Sequence, residues 1–164
     1  MIGLMAALMA ATAPAPAVCA RDLVCASSPE TVVSALQAAG YRAKLTRDEK
    51  TKAPQIASAA NGYNFDIYFY GCKEGEHCNS LSFWITFSKD PINSVGLANE
   101  WNSDKRFSTM SYDPKDGSLA ITYDVSTVGG LNQDNFADVI DWWASMMGQA
   151  RKFFDQHPAQ PKKG

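Results

Sequence analysis

Between Asn64 and Phe87 the chain alternates apolar and polar residues in two runs separated by a short polar loop. Phe65, Ile67 and Phe69 share one side of the first run, and Asp66, Tyr68 and Tyr70 share the other. In the second run Leu81, Phe83, Ile85 and Phe87 fall together, opposite Ser82, Trp84, Thr86 and Ser88. A period of two on both sides of a loop predicts an antiparallel hairpin with one buried face. If Cys72 lies opposite Cys78, then Phe69 faces Leu81, Ile67 faces Phe83 and Phe65 faces Ile85. One register thus aligns the cysteines and the apolar sets together, and a one-residue slip spoils both.

The rest of the pattern supplies the neighbours of this hairpin. Ser28 before Pro29, with Val32, Val33, Leu36 and Ala39 at helical spacing and Gly40 behind them, predicts a helix over 29–39. Residues 41–46 alternate as a short strand, 47–52 form a charged turn, and 54–60 read as a further strand, with a proline suited to its first position. Asn61-Gly62 is a hairpin turn leading into the central pair. Asp90-Pro91 opens a second helix expected over 92–101. Strands follow over 107–113 and 119–125, around the turn Asp113-Pro114-Lys115-Asp116-Gly117. Asn132 caps a last helix of about 24 residues, some 36 Å long, with Phe136, Val139, Ile140, Trp143, Met147, Ala150 and Phe154 on one stripe. The predicted fold is a single α+β domain of order α-β-β-β-β-α-β-β-α, its antiparallel sheet covered by the long C-terminal helix.

Composition narrows the setting. The first 20 of 164 residues contain no charged side chain and hold an apolar run too short to span a membrane. They read as a secretory signal peptide cleaved after Ala17 or after Ala20. Residues 27–157 form the domain, and 158–164 are a polar, proline-containing tail expected to be disordered. Four cysteines behind such a leader point to disulfides in the periplasm or outside the cell: Cys72 with Cys78, and Cys19 with Cys25 if both are retained. A net charge of −2 argues against nucleic acid or an anionic membrane as partner, and no stable membrane insertion is expected.

The residues that carry chemistry are few. Cys72, His77 and Cys78 could contribute to a metal site, but no fourth ligand lies at the right spacing, so no metal is expected. Asp113, Asp116 and Asp124 read as turn chemistry rather than a calcium loop. Trp142, Trp143, Met146 and Met147 at helical spacing read as core, with a binding groove as the alternative. Asn99, Trp101, Asn102 and Arg106 form the most motif-like polar cluster. They are candidates for a partner-binding patch, against a reading in which Asn102 caps a helix end, Trp101 packs inward and Arg106 pairs with a carboxylate. With two histidines and no nucleophile or phosphate-binding motif, neither catalysis nor a cofactor is expected.

The segments ETVVSALQAAGYRAKL, FYGC followed by the second cysteine and its Ser-Leu-x-Phe, the N-x-WN at Asn99 to Asn102, Arg106-Phe107, DVSTVGGL and NFADVIDWW together resemble the YbjN family of bacterial sensory transduction regulators. The resemblance spans about residues 29–154, and Lys52-Ala53 departs from the acidic Gly-Asp turn expected before Pro54. It implies a fold similar to the type III secretion chaperones and a non-enzymatic role in binding a protein or peptide, with a homodimer as one arrangement. The rival readings are a small-ligand sensor with a pocket between sheet and last helix, and an undescribed hydrolase.

Overall fold

The computed structural model describes residues 19–158; the expected signal peptide, apart from its last two residues, and the tail beyond 158 lie outside that range. Three helices and six strands follow in the order α1 (Pro29–Ala38), β1 (Lys44–Arg47), β2 (Pro54–Ala60), β3 (Tyr63–Tyr70), β4 (Ser80–Phe87), α2 (Val95–Asp104), β5 (Thr109–Tyr112), β6 (Leu119–Ser126) and α3 (Gln133–Gln156). This is the expected α+β order. The strands form one antiparallel sheet, β1-β2-β3-β4-β6-β5.

In the central hairpin Ile67 lies opposite Phe83 and Phe69 opposite Leu81, the register that pairs the apolar sets. The β2–β3 turn is Asn61-Gly62, both residues at positive φ, as a two-residue type I′ connection requires. Asn61 also docks this turn on α3: its Nδ2 donates to the Ala144 carbonyl, and its own carbonyl accepts from Arg151 at 2.6 Å.

All three helices lie on the face that carries Ile56, Phe65, Ile67, Phe83, Ile85 and Ile121. α3 begins at the Asn132 cap, whose side chain accepts from the Asn135 N–H, and crosses that face. It buries Phe136, Ile140, Trp143, Met146, Met147, Ala150 and Phe153. Phe153 therefore sits deeper than Phe154, which the stripe had favoured; Phe154 instead packs on Phe87 at the margin. Trp143 lies 5.5 Å from both the Phe65 and Phe83 rings, so the space between sheet and helix is filled with side chains. α2 joins the same layer through Trp101, which meets Phe153 edge-on at 5.3 Å.

Of the element boundaries that differ from expectation, two have identifiable reasons. α2 starts at Val95, three residues later than read, because Asp90 spends its carboxylate on the Ile92 N–H of a turn and Ser94 caps the helix through the Leu97 N–H. β5 starts at Thr109 because Phe107 adopts φ +67, which no strand residue does.

The hairpin loop does not follow strand parity. Extending strand parity through Cys72 and Cys78 puts both on the face away from the core, yet Cys78 is only 2% exposed and belongs to the core. The alternation stops at Gly71, whose φ of +65 turns the chain, and a Cβ there would lie 2.2 Å from the Asn79 side chain. Beyond that glycine the loop folds over the end of the sheet. The Cys72 and Cys78 sulfur atoms are 2.13 Å apart with Cα atoms 3.8 Å apart; those of Cys19 and Cys25 are 2.09 Å and 5.9 Å apart.

Candidate functional site

Because every helix packs on one side, the other face of the sheet is bare. Strand parity brings Lys44, Ala57, Asp66 and Trp84 into one row across it, and Gln55, Tyr68, Ser82 and Asp124 into the next. Three aromatic residues, Tyr68, Tyr70 and Trp84, stand among small and polar ones and make this face uneven. The Tyr68 and Trp84 rings meet edge-on at 6.1 Å, and Trp84 Nε1 donates to Thr86 Oγ1 at 3.0 Å, which fixes the indole on the sheet. These two rings line a groove of about 500 Å³ together with Arg42, Lys44, Asn64 and Asp66. Partial burial raises the ionisation of Tyr68 above the ordinary phenol value, and the Asp66 carboxylate adds to it. Tyr68 is therefore a neutral donor and acceptor at physiological pH. Rings with one polar tip beside mixed charges suit a polypeptide surface better than a compact anion.

The four residues of the sequence-level cluster do not form one exposed patch. Trp101 is fully buried, and its Nε1 donates to Ser108 Oγ at 3.2 Å. This corrects its candidacy as a partner-binding residue, since an indole under α2 offers nothing to a partner. Asn102 is a clamp: its Oδ1 accepts from the Met110 N–H at 2.7 Å and its Nδ2 donates to the Met110 carbonyl at 2.9 Å, tying α2 to the outer edge of β5. Asn99 and Arg106 are exposed. The Arg106 guanidinium lies 4.8 Å above the Phe107 ring rather than against a carboxylate.

Other candidates are placed as follows. His157 bonds Glu100 Oε1 at 3.0 Å and the Phe153 carbonyl at 2.8 Å, holding the end of α3, while His77 is exposed in the hairpin loop. Neither lies in the groove. Among the described residues no three His, Cys, Asp or Glu side chains cluster as a metal site, and no helix is long and apolar enough to cross a membrane. Asp113 and Asp116 accept from the Lys115 and Ser118 N–H groups of their own turn. Trp143, Met146 and Met147 are core, whereas Trp142 is 39% exposed.

Cys19, Cys25 and Cys78 line a second cavity of about 370 Å³, with His77, Lys73 and the segment 127–130. The N-terminal segment is held there by the reciprocal Val24–Leu131 backbone bonds and by Thr127 Oγ1, which accepts from the Ala26 N–H at 2.9 Å. The groove was missed in the sequence, although its signal was present: Tyr68 and Trp84, with Tyr70 beyond them, occupy solvent-side positions of strands that otherwise put small and polar residues there.

A single sheet with three helices on one face and an aromatic groove on the other defines a one-domain α+β protein without a recognisable catalytic constellation among the described residues. Residues 28–156 match the family model YbjN, described as "Putative bacterial sensory transduction regulator", and the chain belongs to that family. Its fold is similar to a crystal structure described as that of "YbjN, a putative transcription regulator from E. coli", with a TM-score of 0.50 and 13% identity, covering 79% of this chain and 96% of that one. No curated protein matches the chain.

Proposed function

We propose that this chain is a non-enzymatic regulatory domain of the bacterial envelope, periplasmic or secreted, that binds a protein or peptide partner on the bare face of its sheet. The observation that carries the reading is the Tyr68–Trp84 groove: aromatic rings held outward on a rigid sheet, where burial in the core would have been the cheaper arrangement. Family membership supports a regulatory rather than catalytic role. Two cysteine pairs at bonding distance suit an oxidising compartment. The net charge of −2 favours a polypeptide over nucleic acid. A sensor with its pocket between sheet and last helix is disfavoured by the side chains that fill that space. A hydrolase is disfavoured because both histidines stand away from the groove.

The test is capture of partners from envelope extract by the wild-type chain and by Trp84→Ala. Trp84 is on the face that supports no helix, so the variant should melt like the wild type and lose at least tenfold of the captured partner. Equal capture by both would remove the groove as the site. Sedimentation of the purified chain separates a partner from a second copy: a Trp84-dependent dimer would make this face a homodimer interface.

A further inference from the structure

We propose that the chain also takes an extended polypeptide by strand addition along the uncovered end of β6, and that the segment it accepts alternates cationic with apolar side chains. The proposal shares with the reading above only the premise of a polypeptide partner.

β6 runs to Ser126 and is paired with β4 along its whole length, but β5 covers it only from Leu119 to Thr122. In an antiparallel ladder successive residues direct their N–H and C=O groups to opposite neighbours. The Thr127 N–H bonds the Asn79 carbonyl on the β4 side at 2.9 Å. By alternation, the backbone groups of Asp124 and Ser126 point to the other side, where no hydrogen bond to a described residue meets them. Continued pairing would set Ser108 against Tyr123 and Phe107 against Asp124. Phe107 prevents it, because φ +67 turns the chain away from β6 at that point. An aromatic residue rarely adopts this conformation, and here it leaves a ring 44% exposed beside a free strand edge.

The outer edges of β5 and β1 are better protected. The outward N–H and C=O of Met110 on β5 are both occupied by the Asn102 side chain. β1 is four residues long and carries Lys44 and Arg47. Charged, short or plugged edges are the usual defences against strand addition; the end of β6 has no plug and carries a single charge, the exposed Asp124, which repels an acidic segment and admits a cationic one.

The surroundings select the occupant. The Asp124 side chain lies on the bare face, in the row of Ser82 and Tyr68, and is exposed. Tyr123 and Val125 point to the opposite side, where the Phe107 ring stands 4.7 Å from Trp142 and 6.2 Å from Tyr123. Trp142 Nε1 donates to Asp138, which places a second carboxylate at this cluster. Neither Asp124 nor Asp138 is ion-paired among the described residues. A strand added here sends every second side chain toward aromatic rings and the others toward Asp124. Arg106, stacked on Phe107, shows that this ring face already accepts a cation. Backbone bonds then supply register and the alternating side chains supply selectivity, as in other strand additions.

The experiment uses the chain with both disulfides formed and an acetylated, amidated hexapeptide alternating Lys and Val. Controls are the same peptide with Glu for Lys, and a version N-methylated at alternate amides on its pairing edge. Amide exchange by NMR should slow at least tenfold at Asp124 and Ser126 when the Lys peptide saturates. The Glu peptide should bind at least tenfold more weakly, and the N-methylated one should give no protection. Ser126→Pro removes the outward N–H alone and should lower affinity at least tenfold with an unchanged melting transition. If that variant melts early, the N-methylated peptide carries the same test from the ligand side. Failure of the Lys peptide to protect Asp124 and Ser126 would overturn the proposal, as would equal binding of the N-methylated peptide. Shifts confined to Tyr68 and Trp84 would overturn it while leaving the groove intact as a site. Protection that grows with protein concentration in the absence of peptide would assign the edge to a second copy and overturn it too.

Discussion

Trp143 offers the sharpest test of how the core is built. The indole is 1% exposed and stands 5.5 Å from Phe65 and from Phe83, so it joins α3 to the central hairpin. Truncating a buried aromatic to alanine costs about 3–5 kcal/mol in lost transfer energy and residual cavity. One feature of the site lowers that figure: Trp143 Nε1 is buried with no hydrogen-bond partner among the described residues. An orphaned donor of this kind costs about 1–3 kcal/mol, which its removal returns. The centres of the two ranges together put Trp143→Ala at about 2 kcal/mol. Trp143→Phe keeps most of the ring contact and deletes the orphan donor, so it should cost less than about 1 kcal/mol. Urea unfolding with a shared m-value gives both numbers. At about 3–4 °C per kcal/mol for a domain of this size, the alanine variant should melt roughly 7 °C early. A loss below about 1 kcal/mol for alanine would mean that α3 does not seal this face. A phenylalanine variant as poor as alanine would mean that the indole N–H has a partner after all.

Other consequences follow from single features of the fold. Ser58 Oγ is likewise buried and unpartnered, so Ser58→Ala should stabilise by about 1 kcal/mol; a urea midpoint that falls instead would show that the hydroxyl is satisfied. The double variant Cys72→Ser, Cys78→Ser opens a loop of seven residues, worth about 2 kcal/mol in the chain-entropy model, and should fold with a lower midpoint and more aggregation; an unchanged midpoint would refute this. Processing after Ala17 keeps Cys19 for Cys25, whereas cutting after Ala20 strands Cys25; intact mass of the exported protein should show an N-terminus at Val18, and one at Arg21 would exclude the first pair. Burial raises the ionisation of Tyr68 and Tyr123, with Asp66 and Asp138 adding to it respectively. The native state thus keeps protons that the unfolded chain releases, and stability falls as pH rises through and above about 10; Tyr68→Phe with Tyr123→Phe should flatten that fall in urea midpoints measured across the alkaline range.

The fold was legible because its strongest signals are local and agree with one another. Alternation in β3 and β4, Asn61-Gly62 between β2 and β3, and Asn132 at the start of α3 each place an element without reference to the rest. What the sequence hid depends on where chains pass one another. Parity gave the wrong face for Cys78 because it holds only within a strand, and Gly71 ends the strand one residue before Cys72. Trp101 and Asn102 looked like a recognition motif because a buried indole and a side-chain clamp are written with the same residue types as an interface. Only the positions of Ser108 and Met110 show that both are spent internally. Phe107 has no signal at all at the sequence level, since nothing in Arg106-Phe107-Ser108 announces a left-handed residue.

The separation of core from surface bears on how such a domain can serve a regulator. Every large buried side chain lies on the helix side of the sheet, so Tyr68 and Trp84 contribute little to the core and can diverge to suit a partner at small cost in stability. The two cysteine pairs and the Val24–Leu131 bridge gather the N-terminal segment, the hairpin loop and the turn before α3 at one end of the sheet, and they stiffen that end without touching the groove. Rigid backbone beneath an adaptable side-chain surface keeps the ordering cost of binding low, because the partner alone must give up conformational freedom. Substitutions on the bare face should therefore change what is bound more readily than whether the chain folds, and substitutions under α3 should do the reverse.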